Sequence, residues 1–200
     1  KIEHTLQPSR RLFTNHQLQL SYCNPDSMSM ETLTALSLHQ CNFEQFGTAI
    51  VPVDDMTPHS NRDAELKFNG ANLRYYVMRL RRRPAVLGSM TRHTHATQCL
   101  GSADAQPWWL AVAAANLQFE QLDYNTVQLV KVQPSEAVKL HQGTWHAGPF
   151  FLAPTALFFN LELSDTNLID HNSQTLNKKL KLNLNGEQDV QTNEGLEDLN

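Results

Sequence analysis

The sequence predicts a mainly β fold, a sandwich or barrel of many short strands with few short helices, on three observations. Apolar residues recur with period two, as in Leu73, Tyr75 and Val77 against Arg74, Tyr76 and Met78, and again in Leu157, Phe159, Leu161 and Leu163 against Phe158, Asn160, Glu162 and Ser164. Further apolar runs are short, rich in Val, Leu or aromatics, and separated by Asn, Gly, Pro or Asp clusters. Their spacing suits an all-β sandwich or barrel.

In chain order, residues 1–34 read as a polar extension packed on the outside, with a strand at 17–22 and a Pro/Ser break at 24–29. The main domain spans 35–171. It opens on one helical turn at 42–46, where the Asn42 side chain caps the first free amides, Gln45 reaches back in a capping box, and Gly47 stops the turn. Strands are expected at 48–53, 73–78, 108–114, 127–132, 137–141 and 157–163, with Leu161 in the core. From residue 172 the chain runs through Asn, Gln, Lys, Glu and Asp with scattered leucines, so residues 172–200 read as a loose tail that truncation would not disturb.

Composition excludes several functions. The 200 residues carry a formal net charge of -4 with 18% charged residues, which removes the positive field a nucleic-acid binder uses, so no nucleic-acid partner is expected. The longest apolar stretches are about half of what a bilayer-spanning helix requires, so no membrane partner is expected either. Residues 1–11 include Glu3, Gln7 and Arg10 where a secretory signal needs an apolar core, and the chain reads as cytoplasmic. Cys23, Cys41 and Cys99 lack Cys-x-x-Cys spacing and read as reduced, partly buried thiols.

The chemistry-bearing residues cluster in two segments. In Arg92-His93-Thr94-His95 the histidines are two apart, so on a strand both imidazoles leave one face and converge on an ion or a substrate. The second segment, Leu140-His141-Gln142-Gly143-Thr144-Trp145-His146, has a glycine for a tight turn, with His146 entering the next strand. Strand alternation from His95 puts Cys99, not Gln98, on the histidine face, so Gln98 needs a bulge or bend to join the site.

The pair of segments resembles the two motifs of cupins, double-stranded β-helix barrels in which His-x-His, a later acidic or amide ligand and a Gly-x-x-His place four ligands inside the barrel. That resemblance implies a divalent metal held by His93, His95, Gln98 and His146. Nickel, manganese and zinc all suit such ligands. A closer resemblance covers residues 36–171. The run Phe43-Glu44-Gln45-Phe46-Gly47-Thr48-Ala49-Ile50, then Phe68-Asn69-Gly70 with Arg74, Arg92-His93 with Thr97-Gln98, and His141 with Trp145-His146 follow the order and spacing of the ureidoglycolate lyase family. Those enzymes are cupin-like homodimers of allantoin catabolism that split ureidoglycolate into glyoxylate and urea. This chain has Thr91 where the family usually carries an acidic residue and Ala147 where it usually carries a second histidine. His95 is extra, and Asn160-Leu161-Glu162-Leu163 stands near the family's late Asp-Arg.

The resemblance implies a lyase acting on a small carboxylate. A base takes the substrate hydroxyl proton as the carbon–nitrogen bond breaks, while other groups hold the carboxylate and protonate the leaving nitrogen. His141 and His146 are the proton-transfer candidates. Asn69, Arg74, Gln98 and Trp145 are the substrate-binding candidates, Arg74 as a bidentate carboxylate clamp and Trp145 as either substrate wall or core. Arg79, Arg81, Arg82 and Arg83 read as a solvated strand end. Trp108, Trp109, Phe150, Phe151, Phe158 and Phe159 exceed what one small barrel interior holds, which favours a homodimer. Two rival functions remain open: another metal-dependent cupin, an oxygenase or isomerase, favoured by His95, and a carboxylate-binding barrel without turnover, favoured by Thr91 and Ala147.

Overall fold

The computed structural model describes residues 30–68, 70, 72–115 and 121–187. The strand expected at 17–22, Cys23, Asn69 and residues 188–200 lie outside the described residues. The architecture is mainly β. In chain order the strands are β1 (Thr32–Ser37), β2 (Gly47–Ile50), β3 (Leu73–Arg81), β4 (Val86–Arg92), β5 (Gln98–Ser102), β6 (Trp108–Ala113), β7 (Gln128–Val132), β8 (Ala137–Leu140), β9 (Trp145–Phe150), β10 (Thr155–Leu163) and β11 (Asn172–Glu187). Among the described residues a single four-residue α-helix, α1 (Thr166–Ile169), precedes β11.

Six strands close into a barrel in the order β1-β11-β4-β9-β6-β7, and five form a second sheet, β2-β8-β5-β10-β3. Closure depends on β1, whose first half pairs parallel to β11 and second half parallel to β7. The two sheets share β6 as a common wall. Trp109, Ala111 and Ala113 face the closed barrel's core with Leu87, Trp145 and Phe150, while Trp108, Leu110 and Val112 face a second core with Val138, Leu140 and Phe158. A strand buried on both faces reads as an unbroken apolar run, and Trp-Trp-Leu-Ala-Val-Ala is one. On the neighbouring β2–β8 pair only glycine fits at position 47, since a Cβ there would lie 1.9 Å from the Lys139 carbonyl oxygen.

Several expectations are corrected. Residues 172–187 are not a loose tail. They form the longest strand described, antiparallel to β4, with Leu176 and Leu182 buried in the barrel core. The polar residues of β11 point outward while its leucines seal the barrel, a pattern too irregular for a period-two test because the register slips between Thr175 and Leu180. The expected extension ends inside a barrel strand, since β1 begins at Thr32. In β10 the inward face is Ala156, Phe158, Asn160 and Glu162, and Leu161 is only half-buried on the opposite face. The turn at 42–46 is a 3-10 helix over Phe43–Gln45 without an Asn42 side-chain cap; the Gln45 amide instead donates to the Asn42 carbonyl at 3.1 Å. Cys41 and Cys99 are free thiols, and burial raises the pKa of both, Cys99 to about 11. Five of the six aromatics that suggested a partner are buried within this chain; Phe159 stays exposed beside Tyr75.

Candidate functional site

The inward polar residues of β10 lie where the two sheets part, on the opposite face of β9 from the closed barrel's core. There a cavity of about 280 Å³ opens, just under the usual lower bound of about 300 Å³ for ligand pockets. Its walls come from both sheets: Tyr76 on β3, Gln98 on β5, Asn160 and Glu162 on β10, and Thr91 and His146 on the paired strands β4 and β9.

His93 sits just past the end of β4 and faces His146 with ring centroids 5.1 Å apart. The chain bends sharply at Thr94 and His95, and Asp170 fixes that bend. Its carboxylate accepts the backbone N–H of Thr94 at 2.8 Å, the Thr94 hydroxyl at 3.0 Å and the backbone N–H of His95 at 2.9 Å. The Asp170 carbonyl also meets His93 Nδ1. On the far side Gly143, at φ +84°, donates its N–H to the His93 carbonyl at 2.6 Å. The bend restores alternation in the required phase. Ala96 bridges to Phe68, and Gln98 then enters β5 facing inward.

Both histidines turn Nδ1 toward a backbone carbonyl, His93 to Asp170 and His146 to Thr144 at 3.2 Å. A carbonyl only accepts, so Nδ1 of each ring is the donor, and the uncharged His146 ring offers Nε2 as a bare lone pair. His146 is held uncharged, its pKa pushed down to about 3 by burial first and then by the neighbouring His93. His171, at the entrance to β11, lines the same cavity with its ring 6.1 Å from His93.

The opposite wall is a closed hydrogen-bond network. Gln98 Nε2 donates to Glu162 Oε2 at 3.0 Å and to Asn160 Oδ1 at 3.2 Å. The Tyr76 hydroxyl donates to Glu162 Oε1 at 3.0 Å and accepts from Asn160 Nδ2 at 3.2 Å. Burial, and after it the Glu162 carboxylate against the opposing Asn160 amide, raises the Tyr76 pKa, so the phenol keeps its proton. Gln98 Oε1 is buried and has no partner.

Other predicted site residues lie elsewhere. His95 is exposed, with its carbonyl taken by the Gln142 amide at 2.9 Å, because the bend that brings Gln98 in turns His95 out. His141 has both ring nitrogens engaged, Nδ1 by Lys139 Nζ at 3.1 Å and Nε2 by the Glu44 carbonyl at 3.0 Å, and does not line the cavity. Trp145 alternates away from His146 into the closed barrel's core, so it is packing and not a substrate wall. Arg74 stacks over Tyr76 at 3.6 Å but does not line the cavity. Arg83 does line it, seated 4.2 Å over the Phe150 ring, and burial lowers its pKa. The arginine run read as a solvated strand end thus contributes one residue to the site.

The metal expected from the sequence finds an incomplete donor set. With His95 turned out, no three His, Cys, Asp or Glu side chains converge on one point among the described residues. The residues do not fit the four-ligand centre. Sequence reasoning missed Tyr76, Arg83, Asn160, Glu162, Asp170 and His171. The polar pair Asn160 and Glu162, two apart on a strand, was the available signal, but a polar face on a strand normally faces water.

Two sheets parting over a cavity lined by histidines and amides define a cupin-like β-barrel protein. A family model described as ureidoglycolate lyase matches residues 30–182, and the chain belongs to that family. The matched span includes β1 and the portion of β11 through Leu182, the strands that close the barrel. No curated protein matches the chain. No helix among the described residues is long and apolar enough to cross a membrane.

Proposed function

We propose that this chain is a carbon–nitrogen lyase that releases urea and glyoxylate from ureidoglycolate. The observation that carries the reading is His146, a buried imidazole kept neutral with Nε2 bare, 5.1 Å from His93 across the cavity. The reaction breaks the substrate O–H and C–N bonds and forms the aldehyde C=O and a new N–H on urea. One proton therefore travels from hydroxyl oxygen to leaving nitrogen, and no co-reactant is consumed. The bare Nε2 can accept the hydroxyl proton and pass it to the departing nitrogen; a resting pKa of about 3 keeps the imidazole in its accepting form at neutral pH but makes it a weak base, so the transfer depends on the nitrogen leaving in the same step. His93 lies close enough to share the relay. Arg83 takes the substrate carboxylate; among the described residues no acidic side chain pairs with it.

Thr91 and Ala147 line the cavity where the family usually carries an acid and a second histidine, and they favour a second reading, a carboxylate-binding protein without turnover. One assay decides. Purified protein is incubated with ureidoglycolate, with and without nickel, manganese or zinc, and urea and glyoxylate are measured. Equal release of both without added metal is expected; no release under any condition leaves the binding reading, and release only with metal reinstates the metal-dependent one. We also propose a cytoplasmic homodimer joined through the sheet face where Tyr75 (69% exposed), Val77 and Phe159 lie side by side. Light scattering that reports a monomer at micromolar concentration removes that part of the proposal.

A further inference from the structure

The wall opposite the histidines has a one-sided hydrogen-bonding character. Both amide hydrogens of Gln98 are committed, one to Asn160 and one to Glu162, and the Tyr76 hydroxyl hydrogen is committed to Glu162. What remains is mostly acceptor: Gln98 Oε1 and the second lone pairs of the Glu162 carboxylate, against one spare hydrogen on Asn160 Nδ2. The Gln98 amide cannot reverse without setting its oxygen against two acceptor oxygens, so the orientation is fixed by its neighbours. Gln98 is 8% exposed, and a buried carbonyl oxygen left without a donor costs about 1 to 3 kcal/mol. Evolution of a stable fold removes such a group unless something supplies the donor. Glu162 is buried as well, and a carboxylate in this wall repels an anionic group brought against it.

We infer that the Gln98–Glu162 wall is the subsite for an N–H donor group, the terminal –CO–NH2 of a ureido acid. The inference rests on the site proposed above and adds the direction in which the ligand lies. The ureido end faces Gln98 and Glu162, and the carboxylate end is directed away from Glu162 toward Arg83. Both Glu162 and Arg83 line the same cavity. A site built to receive N–H groups discriminates strongly against a ligand of the same shape lacking them, since its acceptors are then left unpaired in the dry wall.

The test compares two stable, similarly shaped acids by calorimetric titration. N-carbamoylglycine carries the terminal NH2, and N-acetylglycine replaces it with a methyl group. The parent is expected to bind N-carbamoylglycine at least about tenfold more tightly. Gln98→Met, which keeps volume and removes the acceptor, and Glu162→Gln, which turns an acceptor into a partial donor, are each expected to shrink that preference to within about threefold while circular dichroism stays that of the parent. Equal affinity of the parent for both acids, or binding of neither, overturns the inference. So does a preference that survives in both variants, or binding that requires a divalent cation and vanishes with chelator, which would assign the free oxygen to a metal. Failure of the lyase reading is separable. A preference for N-carbamoylglycine without urea release from ureidoglycolate keeps the subsite and removes the reaction; urea release without the preference does the reverse.

Discussion

Asp170 grips the His93 segment from two directions, its carboxylate on the backbone N–H groups of Thr94 and His95 and its carbonyl on His93 Nδ1. The same residue therefore sets where the chain bends and which nitrogen of His93 carries the proton. Asp170 is 1% exposed, and its truncation leaves the part-buried N–H groups of Thr94 and His95 without this acceptor. Asp170→Ala is expected to cost about 2 to 4 kcal/mol in denaturant titrations. Asp170→Asn keeps the shape and one acceptor oxygen, and should cost less while still lowering kcat more than it raises KM. A variant with parental kcat would show that the bend does not need the carboxylate to place His93.

His146 makes stability depend on pH with a definite sign. Its pKa is about 3 in the folded chain against 6.5 for an unperturbed histidine. Between those values the unfolded chain binds a proton that the folded chain does not, so stability is complete above pH 6.5 and is lost as pH falls toward 3. The slope approaches about 1.4 kcal/mol per pH unit for one such group. In His146→Gln this contribution is absent. The free-energy difference between parent and variant should therefore move in the variant's favour by a few kcal/mol between pH 7 and pH 4. A difference that stays constant over that range would mean that His146 is charged in the fold.

Arg83 and Arg74 compete for the role of carboxylate clamp, and kinetics separate them. Arg83→Met keeps an apolar contact on Phe150 and removes the charge. If ureidoglycolate is turned over, this change should raise KM at least about tenfold with kcat less affected, the pattern of lost uniform binding. Arg74→Met, stacked on Tyr76 outside the cavity, should change KM far less. The reverse ranking would return the clamp to Arg74.

Removing residues 174–200 takes most of β11 from between β1 and β4 and opens the barrel. That truncation should abolish cooperative thermal unfolding. Within β10, Phe158→Ala should cost about 3 to 5 kcal/mol, because Phe158 is buried against Trp108 and Phe151. Leu161→Ala should cost about 1 kcal/mol, as expected of a half-buried position. A parental melt for the truncated chain, or equal costs at 158 and 161, would contradict the strand assignments.

The sequence by itself determined the class of fold, the family and the two segments that hold the chemistry. Period-two alternation marked β3 and β10 as strands, and the apolar run 108–114 marked another, whose burial on both faces only the two packed cores reveal. The spacing of His93, Gln98 and His146 carried the family resemblance because each lies at or beside a strand terminus whose position in sequence is fixed by its turns. Tertiary structure alone decided which face of β10 looks inward. Alternation gives two faces without saying which is dry, and here the polar face with Asn160 and Glu162 lines a cavity while Leu161 faces outward. It also decided that His93 stays in the site and His95 leaves it, because a carboxylate 75 residues downstream of His95 fixes the intervening bend. Closure by β11 was hidden for a related reason. Its leucines are buried only because β1 and β4 flank them, and pairing partners distant in sequence leave no periodic trace in a strand whose register slips.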